Sequence, residues 1–170
     1  MKADALIHVV DISGSTDIQG QPVNVGTHDP LEDIQFVEEE FDLWFKEILD
    51  REWPKLVKEI DQKRAKITDG IARRFTGLGI LESQVDEVLI SMSLKTKKAK
   101  EWLDDDILGF LKALRKNAKP LLVAANKADL CDDLKIIEKI SENFKVIPSS
   151  AETELLLRKA TKAELINYIP

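Results

Sequence analysis

The run Leu121-Leu122-Val123-Ala124-Ala125, followed at once by Asn126-Lys127-Ala128-Asp129, constrains this chain more than any other stretch. An unbroken apolar run with a polar end reads as a strand covered on both faces, as in a parallel sheet flanked by helices. Open α/β sheets bind ligands at the carboxyl ends of their strands, which is where Asn126, Lys127 and Asp129 fall. The three groups suit guanine. The Asp129 carboxylate can accept two hydrogen bonds, from the ring N–H and the exocyclic amine, while the Asn126 amide serves the opposite edge and the Lys127 stem covers the ring face. Adenine lacks that pair of donors.

A matching piece lies downstream. Lys145-Val146-Ile147 reads as a short strand running into Pro148, the loop Ser149-Ser150-Ala151 follows it, and Asp132 to Asn143 supplies one helix between the two strands. Asn and Asp also cap helices, so Asn126 and Asp129 have a purely structural alternative. The order strand, polar motif, helix, strand, loop nevertheless resembles the base-recognition half of P-loop GTPases, with Asn126-Lys127-Ala128-Asp129 as the NKxD motif and Ser149-Ser150-Ala151 as the loop that steadies the base through backbone N–H groups. That resemblance implies a guanine-nucleotide site at Asn126, Lys127, Asp129, Ser149, Ser150 and Ala151.

The phosphate half of such a site is not in this sequence. A P-loop needs Gly-x-x-x-x-Gly-Lys-Ser/Thr so that backbone N–H groups can close on phosphates, and no Gly-Lys pair occurs here. Asp11-Ile12-Ser13-Gly14 imitates a DxxG switch motif but follows the strand Ala5 to Val10 directly. It is read as a turn leaving that strand, with Asp11 at the strand end and Gly14 permitting the turn. No catalytic residue and no metal ligand are assigned, because the groups that carry phosphoryl transfer would lie upstream of Met1.

Bulk properties set the remaining limits. A chain of 170 residues can bury about 70% of its unfolded surface, enough for one core or two small lobes. The single Cys131 excludes an internal disulfide and a multi-Cys metal site, and is read as an inert helix-start residue. The segment Met1 to Val10 carries Asp4 and His8 and is no signal peptide, and no stretch is long enough to span a bilayer, so a cytoplasmic protein without membrane contact is expected. A formal charge of −6 argues against a generally basic nucleic-acid binder.

Charge is unevenly distributed. Asp29 to Glu52 carries ten acidic and two basic residues, whereas Lys55 to Lys100 carries eleven basic and six acidic ones. This middle region is helical by pattern. Ile34, Val37, Phe41, Trp44 and Ile48 form an amphipathic or coiled-coil stripe after Asp29-Pro30, which supplies a cap and a first-turn proline. Pro54 should break that helix near Trp53. Gly77 and Gly79 interrupt the next segment; Leu81 to Met92 reads as a helix, Lys95 to Lys100 as an exposed basic connector, and Asp104 as the cap of a helix with Ile107, Leu108, Leu111 and Leu114 on one face. Trp44, Trp53 and Trp102 are expected in core or helix-pairing roles within this lobe, and His8 in a structural role.

Taken together, Asp4 to Gly14, the loop Val25-Gly26-Thr27-His28-Asp29-Pro30-Leu31-Glu32-Asp33-Ile34, and Ser149-Ser150-Ala151-Glu152 resemble the Obg-like ATPase, or YchF, family over essentially the whole chain. Members carry a helical coiled-coil domain inside the G domain and a TGS domain after it. Many replace the base motif by Asn-x-x-Glu and prefer ATP; Asn126-Lys127-Ala128-Asp129 resembles the archaeal branch and implies GTP. A histidine in the loop before the helical lobe has been proposed as catalytic in relatives, and His28 lies in that loop. Aligning on Pro30 and Asp33 does not fix its register, so the catalytic reading stays beside the stronger one, a helix-start residue next to Asp29.

The expected fold is therefore α/β, a partial P-loop GTPase (G-domain) parallel sheet with an inserted α-helical coiled-coil domain. Residues 1–28 and 118–170 form the C-terminal half of the G domain and 29–117 the insertion. The resemblance implies an internal fragment of a translation-associated nucleotide hydrolase, inactive alone. Its helical arm would contact ribosome or RNA, its partner would be the missing G-domain half, and magnesium would enter only in the complete protein. The alternative is a helical interaction module that binds ribosome, RNA or a protein without nucleotide.

Overall fold

The structure is a computed structural model that describes residues 3–131 and 135–169. In chain order the elements are β1 (Leu6–Asp11), α1 (Pro30–Asp50), α2 (Trp53–Asp61), α3 (Ile67–Arg74), α4 (Glu82–Ser91), α5 (Asp104–Ala118), β2 (Leu121–Asn126), α6 (Lys135–Ser141), β3 (Lys145–Pro148) and α7 (Ala151–Lys162). They fall into two compact units. A sheet unit comprises Ile7–Phe36 and the residues from Leu121 onward; a helical unit comprises the residues through Leu6 and Val37–Pro120.

The three strands form one sheet in the order β1-β2-β3. Leu6 N donates to Pro120 O and Ile12 N to Asn126 O, each at 2.9 Å, so β1 and β2 advance in the same direction. The β2 and β3 strands are also parallel, with Leu122 opposite Lys145 and Ala125 opposite Pro148. In this way both strands deliver their following loops at the same end of the sheet. Val10, Ile12, Ile34, Val123, Ala125 and Ile140 form the buried core of this unit, with Ile136, Ile137, Phe144 and Val146 packed against it.

The sheet unit departs from expectation in its details. The expected first turn of the helix after β2 falls on 132–134, outside the described residues, and α6 is described from Lys135. The last helix ends at Lys162 rather than near Ile166. Its stop is a Schellman-type closure: Glu164 takes a left-handed φ of 58° and Leu165 N donates back to Ala160 O at 3.0 Å.

The helical unit has its own core, in which Phe45, Leu49, Leu56, Ile71, Phe75, Val85, Leu89, Phe110, Leu111 and Leu114 are buried together. The start of α1 is as expected, with Asp29 Oδ1 accepting Leu31 N at 3.0 Å. The break near Trp53 is a full restart. The first helix ends at Asp50, and Pro54 sits in the first turn of α2, where its missing N–H costs nothing.

Of the expected α1 stripe, Ile34 is buried and Ile48 packs on the core, while Trp44 departs from it. Within this unit Asp42, Phe45 and Leu49 are buried, whereas Trp44 is 44% exposed. The reason lies on α5. Arg115, itself 1% exposed, donates through Nε to Asp42 Oδ1 and through Nη2 to Glu38 Oε1, both at 2.7 Å. A buried guanidinium needs carboxylate partners, so the acidic residues of α1 turn inward and Trp44 turns out. The other two tryptophans do pack in the core, with ring centroids 5.3 Å apart.

Two further expectations need refinement. The carboxylate that closes the start of α5 is Asp106, which accepts Leu103 N at 2.7 Å, and Asp104 lies within the helix. The basic connector is exposed as expected at Lys95, Lys98 and Lys100, but part of its charge is paired. Lys95 pairs with Asp86 at 2.8 Å and Lys97 with Asp106 at 2.6 Å.

Candidate functional site

The six residues singled out in the sequence meet at the carboxyl ends of β2 and β3. Asn126 is the last residue of β2, and Ser149 follows β3 directly. Backbone bonds pin the two loops together: Ser149 N donates to Ala125 O at 2.8 Å and Ala128 N to Ser149 O at 3.1 Å. The Asn126 side chain adds a third tie, its Oδ1 accepting Ala151 N at 3.0 Å. The Ala151 N–H is thus engaged inside the site.

Asp129 belongs to a short 3-10 turn, Ala128–Leu130, and its carboxylate is exposed. Thr153 Oγ1 donates to Asp129 Oδ2 at 3.3 Å and lies 2.8 Å from Ser150 Oγ. Hydrogen bonding from Ser150 above all, with Thr153 contributing, holds the Asp129 carboxyl below its usual range. Ser150 is also the N-cap of α7, its Oγ accepting Thr153 N. A carboxylate has about four acceptor positions, and with Ser150, Thr153 and its own backbone N–H as donors Asp129 keeps about one open; a second ligand donor would displace one of these bonds.

Lys127 adopts a left-handed backbone, with φ 61°, and its ammonium reaches the end of β1. Nζ lies 2.9 Å from Asp11 Oδ2, 2.9 Å from Ser15 Oγ and 3.0 Å from Thr16 Oγ1. Burial opposes ionisation of Asp11, but hydrogen bonds from Lys127, Ser13, Thr16 and Ser15 outweigh it and hold the carboxyl far below its usual range. Sequence reasoning placed Asp11 at the strand end but missed it, Ser15, Thr16 and Thr153 as members of this constellation. The available signal was the run Ser13-Gly14-Ser15-Thr16, rich in hydroxyls after a strand-end carboxylate.

The loop carrying those hydroxyls is well built. Asp11 O accepts Gly14 N at 3.2 Å, closing the turn, and Gly14 has φ 59°. A Cβ there would lie 2.2 Å from His28 O, so only glycine fits. Val23 N donates to Ser15 O at 2.9 Å and Gly26 N to Ser13 O at 2.8 Å, and Thr16 bridges Pro22. His28 Nε2 lies 2.9 Å from Asp33 Oδ1; that bond leads the causes raising the His28 pKa, against burial. His8 is shifted the other way by burial, partly offset by the charge of Asp33, and its Nδ1 has no protein partner. Cys131 is half-buried at the end of the 3-10 turn.

Residues 124–170 match the family described as Obg-like GTPase YGR210-like, G4 motif-containing domain. An uncharacterised GTP-binding protein of Methanocaldococcus jannaschii is 40% identical over 97% of this chain and 41% of its own length. Another, from Schizosaccharomyces pombe, is 31% identical over 98% of this chain and 41% of its own. The crystal structure of a GTP-binding protein from Pyrococcus horikoshii OT3 superposes with a TM-score of 0.87 at 42% identity, covering 99% of this chain and 49% of that one. This chain therefore spans about two-fifths of the length of the curated relatives it matches. Among the described residues no helix is long and apolar enough to cross a membrane.

Proposed function

From its resemblance to the Obg-like GTP-binding proteins, we propose that this chain supplies the guanine-recognising part of a GTP site. Asp129 accepts the two guanine donors, Asn126 serves the opposite edge and fixes the Ala151 loop, Lys127 covers the ring, and Ser149 and Ser150 support the loop from behind. The observation that carries this reading is the bond from Ala151 N to Asn126 Oδ1, which joins the two loops that such a site requires.

Hydrolysis belongs to a complete protein, because the Gly-Lys pair of a phosphate cradle does not occur in these 170 residues. Magnesium, held mainly by nucleotide phosphates, waters and one or two protein groups, would enter with the complete protein; among the described residues no group of three or more His, Cys, Asp or Glu side chains could hold a metal ion. We place the complete protein in the cytoplasm, associated with translation, with the helical unit as a coiled-coil arm toward ribosome or RNA.

The test of the base site is Asp129→Asn. It replaces one acceptor with a donor facing guanine donors and should cost roughly 1–3 kcal/mol of guanosine diphosphate affinity. Xanthosine diphosphate, which offers an acceptor at that edge, should gain. Unchanged guanosine diphosphate affinity in a titration followed by NMR would remove Asp129 from the site.

A second reading makes the helical unit a nucleotide-independent binder of RNA. It draws on an open groove lined by Arg51, Lys55, Arg73 and Arg74, although Arg51 pairs with Glu47, Arg73 with Asp69 and Arg74 with Glu52 and Glu59. Steeply salt-dependent RNA binding without nucleotide would select it.

A further inference from the structure

We propose that Asp11, Ser15 and Thr16 are positioning residues for Lys127, setting through its tethered stem how tightly the site holds a purine face; this rests on the base-site reading above. An ammonium has three donors and no acceptor. Here three oxygens surround it, at 2.9, 2.9 and 3.0 Å, each from the β1 strand end or the loop behind it.

Five donors converge on the roughly four acceptor positions of Asp11, so Lys127 shares Oδ2 with the two hydroxyls. Ser15 Oγ and Thr16 Oγ1 donate to Asp11 Oδ2 at 2.8 and 2.5 Å, which leaves their lone pairs to accept from Lys127. Asp11 Oδ1 is occupied separately by Ser13 N at 3.1 Å and Ser13 Oγ at 2.6 Å. The Asp11 side chain is only 13% exposed, so these bonds are screened less than surface pairs.

A lysine stem is otherwise the most mobile surface a base site could use, since four methylenes lose considerable rotamer freedom when a ligand immobilises them. Here both ends are fixed. The backbone end takes the left-handed conformation disfavoured for an L residue, and the ammonium end is held by the network. Ordering is thereby completed in folding rather than on binding, which is how preorganisation raises affinity. The loop from Ser13 to His28, with its Thr16–Pro22 bridge and its Gly14 packed on His28, holds the two hydroxyls in place.

The experiment is an NMR titration of the 170-residue chain with guanosine diphosphate, for the wild type, Asp11→Asn, Ser15→Ala with Thr16→Val, Lys127→Ala, and each tether variant combined with Lys127→Ala. Loss of the tether should weaken binding about tenfold in the presence of Lys127. It should have no further effect once Lys127 is alanine, and the preference for guanosine over xanthosine diphosphate should not change, because Asp129 is untouched. The Lys127 ammonium signal should be slowly exchanging in the wild type and lost in the Ser15→Ala, Thr16→Val variant, which leaves the Asp11 turn intact. Equal weakening with and without Lys127, or full affinity in a folded tether variant, would overturn the positioning role alone. Failure of the wild type to bind guanosine diphosphate at all would overturn the base-site reading, and this proposal with it.

Discussion

Asn126 Oδ1 accepts the Ala151 backbone N–H at 3.0 Å, joining the end of β2 to the start of α7 across 25 residues of chain. Asn126→Ala should leave this N–H without its partner and cost about 0.5–1.5 kcal/mol of stability. Hydrogen exchange at Ala151 should accelerate while exchange in β2 is retained. Unchanged protection at Ala151 would mean that the loop is held by the backbone bonds of Ser149 alone.

The two histidines should titrate in opposite directions from the ordinary value near 6.5. His28, raised by its bond to Asp33, contributes stability that is fully present below the unfolded pKa and is lost as pH rises through the folded one. His8, lowered by burial, resists protonation in the folded state, so it costs stability as pH falls below the unfolded value. Asp33→Asn should bring the His28 midpoint down and lower that of His8 further. Imidazole proton shifts followed from pH 5 to 8 check both signs.

Arg115→Ala should be the most damaging change in the helical unit, because it removes the close hydrogen-bonded partner of buried Asp42 and half-buried Glu38 and leaves them only Lys112 and Lys116, each at 3.9 Å. The expected loss is about 3–5 kcal/mol, read from urea denaturation. Replacing all three by well-packed apolar residues should recover most of it. A small effect of the single change would show that the carboxylates turn out to solvent.

Gly14→Ala should destabilise the sheet unit by at least about 2 kcal/mol, through the left-handed backbone and the approach of a Cβ to the His28 carbonyl. The midpoint of thermal unfolding measures it. Gly20→Ala is a useful comparison, since Gly20 shares a positive φ of 77° but faces open space. It should cost less.

Much of the site was legible because its chemistry is local. Asn126, Lys127 and Asp129 lie within four residues of one another, and the apolar run before them is a strand as expected, though covered on one face only: Val123 and Ala125 are buried, Leu122 and Ala124 half-buried. Strand identity, the restart at Pro54 and the start of α1 at Asp29-Pro30 follow equally from neighbouring residues, through backbone sterics and end capping.

What only the tertiary structure decided are the partners separated by long stretches of chain. Arg115 lies 73 residues from Asp42, and that pairing puts a carboxylate on the buried face of α1, where apolar spacing alone would not place it. Lys127 lies 116 residues from Asp11, and nothing in a linear pattern distinguishes a lysine that covers a ligand unaided from one whose ammonium is already held. Propensity and periodicity record how each residue suits its immediate neighbours. The desolvation of a charge is settled only when the fold brings a distant opposite charge beside it, and both surprises in this protein are of that kind.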